Sequence, residues 1–318
     1  MTASSGPTLR PFRFGVITSN APDGETWRAR ARRAEALGYS TLFMPDHFQE
    51  QWAPIVGLTI AAEATERLNV GSLVFANDYR HPVVIAKEIA TLDLATGGRV
   101  EFGIGAGWRR TDYEGAGLPY DTPGTRIDRM AEALTVMKAL WSSEKPVHHE
   151  GPHYSIAGAV GTPRPHRRPH PRVCIGGGGR RVLSVAAREA DIVGVNATLR
   201  SGELGRDAAA SVVPSAFDEK VMWVRDAAGD RFGDIELQCH CAVVMIVSNR
   251  MEVAEGLGRA FGLDAVEALE VPITLIGTVD ELCDALEERR HRYGISYWVV
   301  PDDAMEPFAP VVERLVGR

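Results

Sequence analysis

Lysine is scarce in this chain: of 35 basic residues only Lys87, Lys138, Lys145 and Lys220 are lysine, and the rest are arginine. With abundant alanine and glycine, that bias reads as GC-rich coding and not as function. Acidic residues outnumber basic ones, for a net charge of −7, so nothing electrostatic favours nucleic acid or an anionic membrane as partner. Cysteine is equally sparse. Cys174, Cys239, Cys241 and Cys283 form no CxxC and no disulfide framework. Cys239 and Cys241 flank His240 and share one face of a strand, as buried thiols do. No apolar run approaches the roughly 20 residues of a spanning helix, and the longest, Ala242 to Val247, is strand-sized. The opening MTASSGPTLRP has neither the basic start nor the apolar core of a signal peptide. A cytoplasmic protein is expected. GxSxG and P-loop motifs are missing, and strand one, FRFGVI, lacks the HxH of metal-dependent hydrolase barrels. His148, His149 and His153 have no cysteine or acidic co-ligands in the pattern, so no metal site is expected. The basic stretch Arg164 to Arg172 is broken by proline and reads as a solvated loop.

What the chain does have is a repeat. Short apolar strands begin near Phe12, Ser40, Asn69 and Arg99, spaced by 28, 29 and 30 residues, each followed by an amphipathic stretch. A parallel strand must be reached by a crossover helix, and this is the length of one βα unit. Helices are expected over Thr26 to Leu37, Val83 to Gly98 and Arg126 to Trp141. Thr125/Asp128 and Thr278/Glu281 have capping-box spacing. Later strands are expected at Arg172 to Ile175, Asp191 to Val195, Glu236 to Val247 and Ser296 to Val300. Pro146 to Pro171 reads as a hairpin laid outside, and Arg200 to Pro214 and Val253 to Val271 as excursions. The sum is one α/β domain, a (β/α)₈ TIM barrel over residues 12–318 with a tail at 1–11 and insertions at the C-terminal face. Polar residues gather where strands end: Ser19 and Asn20, Asp46 and His47, Asn77, and Gly105 to Gly107.

Three of those ends carry chemistry. CIGGGGRR, Cys174 to Arg181, places four glycines between a strand and a helix. A tight turn needs one glycine; several expose backbone N–H groups to a close ligand, and the helix N-terminus with Arg180 and Arg181 adds positive charge. A phosphate site is expected at Gly177, Gly178, Gly179 and Arg180. GIGAGW, Gly103 to Trp108, is GxGxG and not GxGxxG, with no helix expected directly behind it. A dinucleotide fold is therefore disfavoured. The glycines of this run, Gly103, Gly105 and Gly107, are expected to let the barrel mouth admit a flat ring, with Trp108 lining it. MPDHF, Met44 to Phe48, sets Asp46 and His47 at the rim, where they can hydrogen-bond a heterocycle and move a proton. The competing reading has Asp46 capping a turn and His47 packed under Trp52.

FRFGVIT, TLFMPDHF, RHPVVIAKEIATLD followed by GGRVEFGIGAGW, and VCIGGGG before a helix resemble the bacterial luciferase-like monooxygenase superfamily. Within it the chain is most similar to the oxidoreductases dependent on the deazaflavin coenzyme F420. The resemblance implies the luciferase-like barrel, usually as a homodimer, and a small-molecule substrate. It implies that Asp46 and His47, the candidate catalytic pair, lie beside the flavin-like ring. It also implies a non-prolyl cis peptide near Ser72–Leu73 behind the middle ring, Asn77 and Trp108 among the cofactor contacts, and the phosphate at Gly177 to Arg180. One departure stands out: where the deazaflavin sugar-phosphate dehydrogenases place a glutamate after strand four, this chain has Trp108 and Arg109. The catalytic acid is left open, with Asp112 and Glu114 nearby. An FMN-dependent monooxygenase and a catalytically silent flavin-binding protein are the alternatives.

Overall fold

The computed structural model describes residues 9–199, 202 and 206–318. The first eight residues of the expected tail, and residues 200, 201 and 203–205 of the first excursion, lie outside that description.

Eight parallel strands close on themselves: β1 (Arg13–Ile17), β2 (Thr41–Met44), β3 (Asn69–Ser72), β4 (Val100–Gly105), β5 (Arg172–Gly177), β6 (Ile192–Val195), β7 (Glu236–His240) and β8 (Ile295–Pro301). Each pairs with its neighbours in sequence, and β1 pairs with β8, so no edge is left. β2, β4, β6 and most of β8 are buried throughout, as strands covered on both faces must be.

The helices follow from local signals. Asp23 accepts from the Thr26 backbone N–H at 2.8 Å and opens the helix Gly24–Ala36, which buries Trp27, Ala31 and Ala34. Pro82 starts the helix Pro82–Ala95, whose Ile85, Ala86, Ile89 and Ala90 face the barrel. Thr278 and Glu281 form the expected capping box. Thr125 does not: the helix begins earlier, at Pro123, and Thr122 is the residue that caps it. The outer hairpin is present as Val147–Glu150 paired antiparallel with Ser155–Ala159. No helix among the described residues is long and apolar enough to cross a membrane.

Strand seven is shorter than its apolar run suggested. It ends at His240, and Val243–Ile246 leaves the barrel to pair in parallel with Thr274–Gly277. The second excursion folds as two helices, Arg250–Phe261 and Ala265–Glu270.

The N-terminal end of the barrel is closed by charge. Arg13 grips Glu236 through Nε and Nη2 at 2.6 and 2.7 Å and Glu101 through Nη1 at 2.6 Å. Arg172 donates to Glu236 at 2.8 Å, and the Tyr297 hydroxyl donates to Glu101 at 2.9 Å. Burial pulls the Glu236 carboxyl upward, but Arg13 and Arg172 outweigh it and hold the group below the usual carboxylate range. Two arginines and two glutamates neutralise one another, so this end is structural. Chemistry is left to the opposite face.

At that face the chain between β3 and β4 crosses unusually close to its neighbours. A Cβ on Gly103 would lie 1.8 Å from the Ser72 carbonyl oxygen, and one on Gly105 would lie 2.6 Å from Val74 Cγ2. The space left by these glycines is therefore filled by the protein's own Ser72–Val74 segment. They do not line an open slot for a ring, as expected from the sequence. Gly103→Ala presses a methyl into backbone and is expected to destabilise by about 1–3 kcal/mol, read as a lower denaturation midpoint. An unchanged midpoint would mean the crossing is looser than described.

Candidate active site

The strand ends bring most of the expected residues to one face. His47 follows β2 and its Nδ1 lies 2.6 Å from Asp112 Oδ2. Asp112 sits on a short helix, Arg110–Ala116, that opens directly after Trp108, where the sequence suggested a long loop. Its carboxylate is buried and also accepts from the Tyr79 hydroxyl at 3.2 Å. An ionised carboxylate only accepts, so His47 Nδ1 carries the proton in that bond and Nε2 keeps its lone pair. The His47 ring stands edge-on to Trp108, with centroids 5.7 Å apart. Trp52 lies tilted against Trp27, with ring centroids 5.1 Å apart.

Burial is the main reason the His47 pKa lies below the ordinary histidine value. The hydrogen bond to Asp112 opposes that shift, and the charge of Arg109 adds to it. His47 is thus a neutral imidazole near pH 7, held in one tautomer: a base aimed by its partner.

Asp46 plays another part. Its carboxylate accepts from Arg80 through two nitrogens, at 2.6 and 3.1 Å, and from the Ala76 backbone N–H at 3.1 Å. It is 4% exposed, so its oxygens fix the segment after β3 and do not serve as a second acid or base at the rim. The expectation that Asp46 joins His47 in proton transfer is corrected to an anchoring role, because the guanidinium already occupies it. Ser72 is corrected likewise: it is fully buried and its hydroxyl donates to the Met44 carbonyl at 2.9 Å. The cis peptide lies one residue later than expected, at Leu73–Val74. Leu73 and Val74 are half-buried between buried neighbours and form a step at the barrel mouth. Val74 faces Gly105 and Gly176, so the step bridges the ends of β3, β4 and β5. The Asn77 amide nitrogen is directed elsewhere, to the Tyr154 hydroxyl at 3.2 Å and to Asp78 at 3.3 Å. There it lines a cavity of about 330 Å³ with Arg80, His81, Arg129 and Tyr154.

The glycine turn closes the far side. Gly177 ends β5 against Val182, and Gly178 packs on the Ala197 backbone. Gly179 is the N-cap of the helix Arg180–Glu189, makes no side-chain cap bond, and has open space where a Cβ would point. Arg181 is engaged by Asp128 at 2.6 Å, whereas Arg180 stays exposed. An uncapped helix N-terminus beside an open glycine fits a phosphate. Gly107 turns with φ 75° under Tyr113, whose hydroxyl fills the space of a Cβ there. Trp108 therefore projects past a closed turn, beneath the guanidinium of Arg109 at 4.8 Å from the ring centre.

Comparison with known proteins bears on the family and the fold. The family model "Luciferase-like monooxygenase" matches residues 8–216. An F420-dependent glucose-6-phosphate dehydrogenase of Intrasporangium calvum is 35% identical over 170 residues, covering 50% of each chain. An FMNH(2)-dependent dimethylsulfone monooxygenase of Pseudomonas putida is 30% identical over 190 residues, covering 56% of this chain and 51% of that one. The matched stretch thus spans about half the length of these curated relatives. The solved F420-dependent tetrahydromethanopterin reductase of Methanopyrus kandleri superposes with a TM-score of 0.76 at 19% identity, over 96% of this chain and 98% of that one, and so shares the fold. With its family model matched over most of the chain and its barrel shared with a solved relative, the protein belongs to the luciferase-like monooxygenase family and is an oxidoreductase of that family.

Proposed function

We propose that this oxidoreductase transfers hydride between coenzyme F420 and a small organic substrate, with His47 handling the proton. The observation that carries the reading is the shared face: the uncapped glycine turn at β5 and the half-buried His47 paired with buried Asp112 at β2 flank the half-buried Leu73–Val74 step. When bound, the coenzyme supplies the hydride chemistry. The chain supplies the rest. Gly179 and the first turn of its helix would hold phosphate, and Leu73–Val74 would support a flat ring. His47 Nε2 would take the proton of a substrate hydroxyl in oxidation, or return it in reduction. Trp108 stands where the sugar-phosphate dehydrogenases have a glutamate, which argues for a substrate other than a sugar phosphate.

A second reading, FMN-dependent oxygenation, is favoured by the resemblance to the Pseudomonas putida monooxygenase. Fluorescence titration of the purified protein with F420 and with FMN decides between them, followed by oxygen uptake with reduced FMN. Quenching by F420 without oxygen uptake is the expected result. Tight FMN binding with oxygen uptake would replace it, and binding without any turnover would leave a silent flavin carrier. The proposal includes a homodimer, so light scattering on the same sample should return twice the 34.6 kDa chain mass.

A further inference from the structure

Behind the glycine turn lies a lysine that the chemistry described so far does not use. The segment following β6 is strapped to the turn. Asn196 N–H donates to the Gly177 carbonyl at 2.9 Å, and the Thr198 hydroxyl donates to the Gly178 carbonyl at 2.9 Å. The Thr198 N–H in turn donates to Ser211 Oγ at 2.8 Å. The Asn196 carbonyl oxygen lies 2.6 Å from where a Cβ on Gly178 would stand, and it accepts from Lys220 Nζ at 2.6 Å.

Lys220 is 2% exposed, on the inner face of the helix Pro214–Ala228 beside Phe217, Val221 and Val224. One carbonyl satisfies one of its three donors and none of its charge. The groups acting on it are Cys239 on β7 and Glu219 on its own helix. The Cys239 thiol is pushed up by burial and stays neutral, and Glu219 is exposed. Among the described residues no acidic side chain forms an ion pair with Lys220. A buried, uncompensated ammonium is costly unless an anion arrives to meet it.

We propose that Lys220 is the positioning cation of the glycine-turn site: it holds the Asn196–Thr198 strap against Gly178, and its charge is the internal counter-ion of a phosphate bound at that turn. This rests on the phosphate reading above. It extends that reading to a residue on the helix Pro214–Ala228, about 40 positions further along the chain.

The test separates phosphate recognition from ring recognition. Affinities of the wild type and of Lys220→Met are measured for F420, for FMN, and for each chromophore without its phosphate, the deazaflavin alcohol and riboflavin. The wild type is expected to prefer the phosphorylated form of whichever chromophore it binds, and Lys220→Met to reduce that preference about tenfold. Affinity for the phosphate-free form should be nearly unchanged. A second measurement needs no variant. Burial lowers the Lys220 pKa to about 8, so the wild-type preference should decline as pH rises through that value and the ammonium loses its proton. A preference that survives in Lys220→Met, or is flat across that range in the wild type, overturns the assignment and leaves the coenzyme reading standing. A wild type that binds no form of either chromophore overturns both.

Discussion

Asp112→Asn is expected to lower turnover about 10²-fold or more while leaving coenzyme affinity nearly unchanged. The reasoning starts from one bond. Asp112 Oδ2 accepts from His47 Nδ1 at 2.6 Å, which leaves Nε2 with its lone pair at the barrel mouth. An asparagine can turn its NH₂ toward Nδ1, which then becomes the acceptor and puts the proton on Nε2. The base is lost while the ring stays in place. His47→Ala removes the base altogether and should cost about 10²–10⁴ in kcat, the usual worth of a positioned proton acceptor. The pH profile adds a signature that packing loss alone would not give. His47 must be unprotonated to act as a base, so oxidation should fail as pH drops through its lowered pKa, on the acid side of an ordinary histidine. The Asp112 hydrogen bond opposes that lowering, so in Asp112→Asn the residual activity should persist to still lower pH. Equal kcat and an unshifted acid limb in Asp112→Asn would take the pair out of the mechanism.

The sequence displayed the barrel because its first half repeats one unit with clear punctuation: Asp23 before a helix, Pro82 at another's first turn, and short, mostly apolar strands at regular spacing. It hid whatever depends on distant partners. The run from Glu236 to Val247 alternates polar and apolar residues and is apolar from Cys241 onward, without a break that marks a strand end, and only the pairing of Val243–Ile246 with Thr274–Gly277 reveals that the barrel strand has ended. Gly103 and Gly105 read as room for a flat ring, because the Ser72 and Val74 that fill that room come from another strand's end. Asp112 was visible as a nearby acid but had no path. Its helix spans seven residues, too few to show a period, and Arg109 offers no side-chain cap to mark its start. Asp46 looked like half of an acid–base pair because Arg80, its actual partner, lies 34 positions away. Lys220 is the strongest case. A lysine in an amphipathic helix reads as solvated, and only the packing of that helix places it inside.

Gly179→Asp is expected to weaken binding of the phosphorylated coenzyme by about 10²-fold or more without loss of fold. Both halves follow from the geometry. Gly179 has φ −91° and ψ 149°, extended backbone open to any residue, and a Cβ there meets nothing within 4 Å. Aspartate is also a preferred N-cap, and it could accept from the free N–H groups of the helix Arg180–Glu189 that no side chain now caps. Thermal stability should therefore hold or rise. The same carboxylate would occupy those donors and place negative charge at the proposed phosphate position, so affinity and stability should move in opposite directions. The neighbouring position behaves differently. A Cβ on Gly178 would come within 2.3 Å of the Ala197 backbone, so even Gly178→Ala should lower stability along with affinity, and a charge there would test nothing specific. Gly179→Ala, with the methyl but no charge, should leave binding close to wild type. Coenzyme bound by Gly179→Asp as tightly as by Gly179→Ala would place the phosphate somewhere other than this turn.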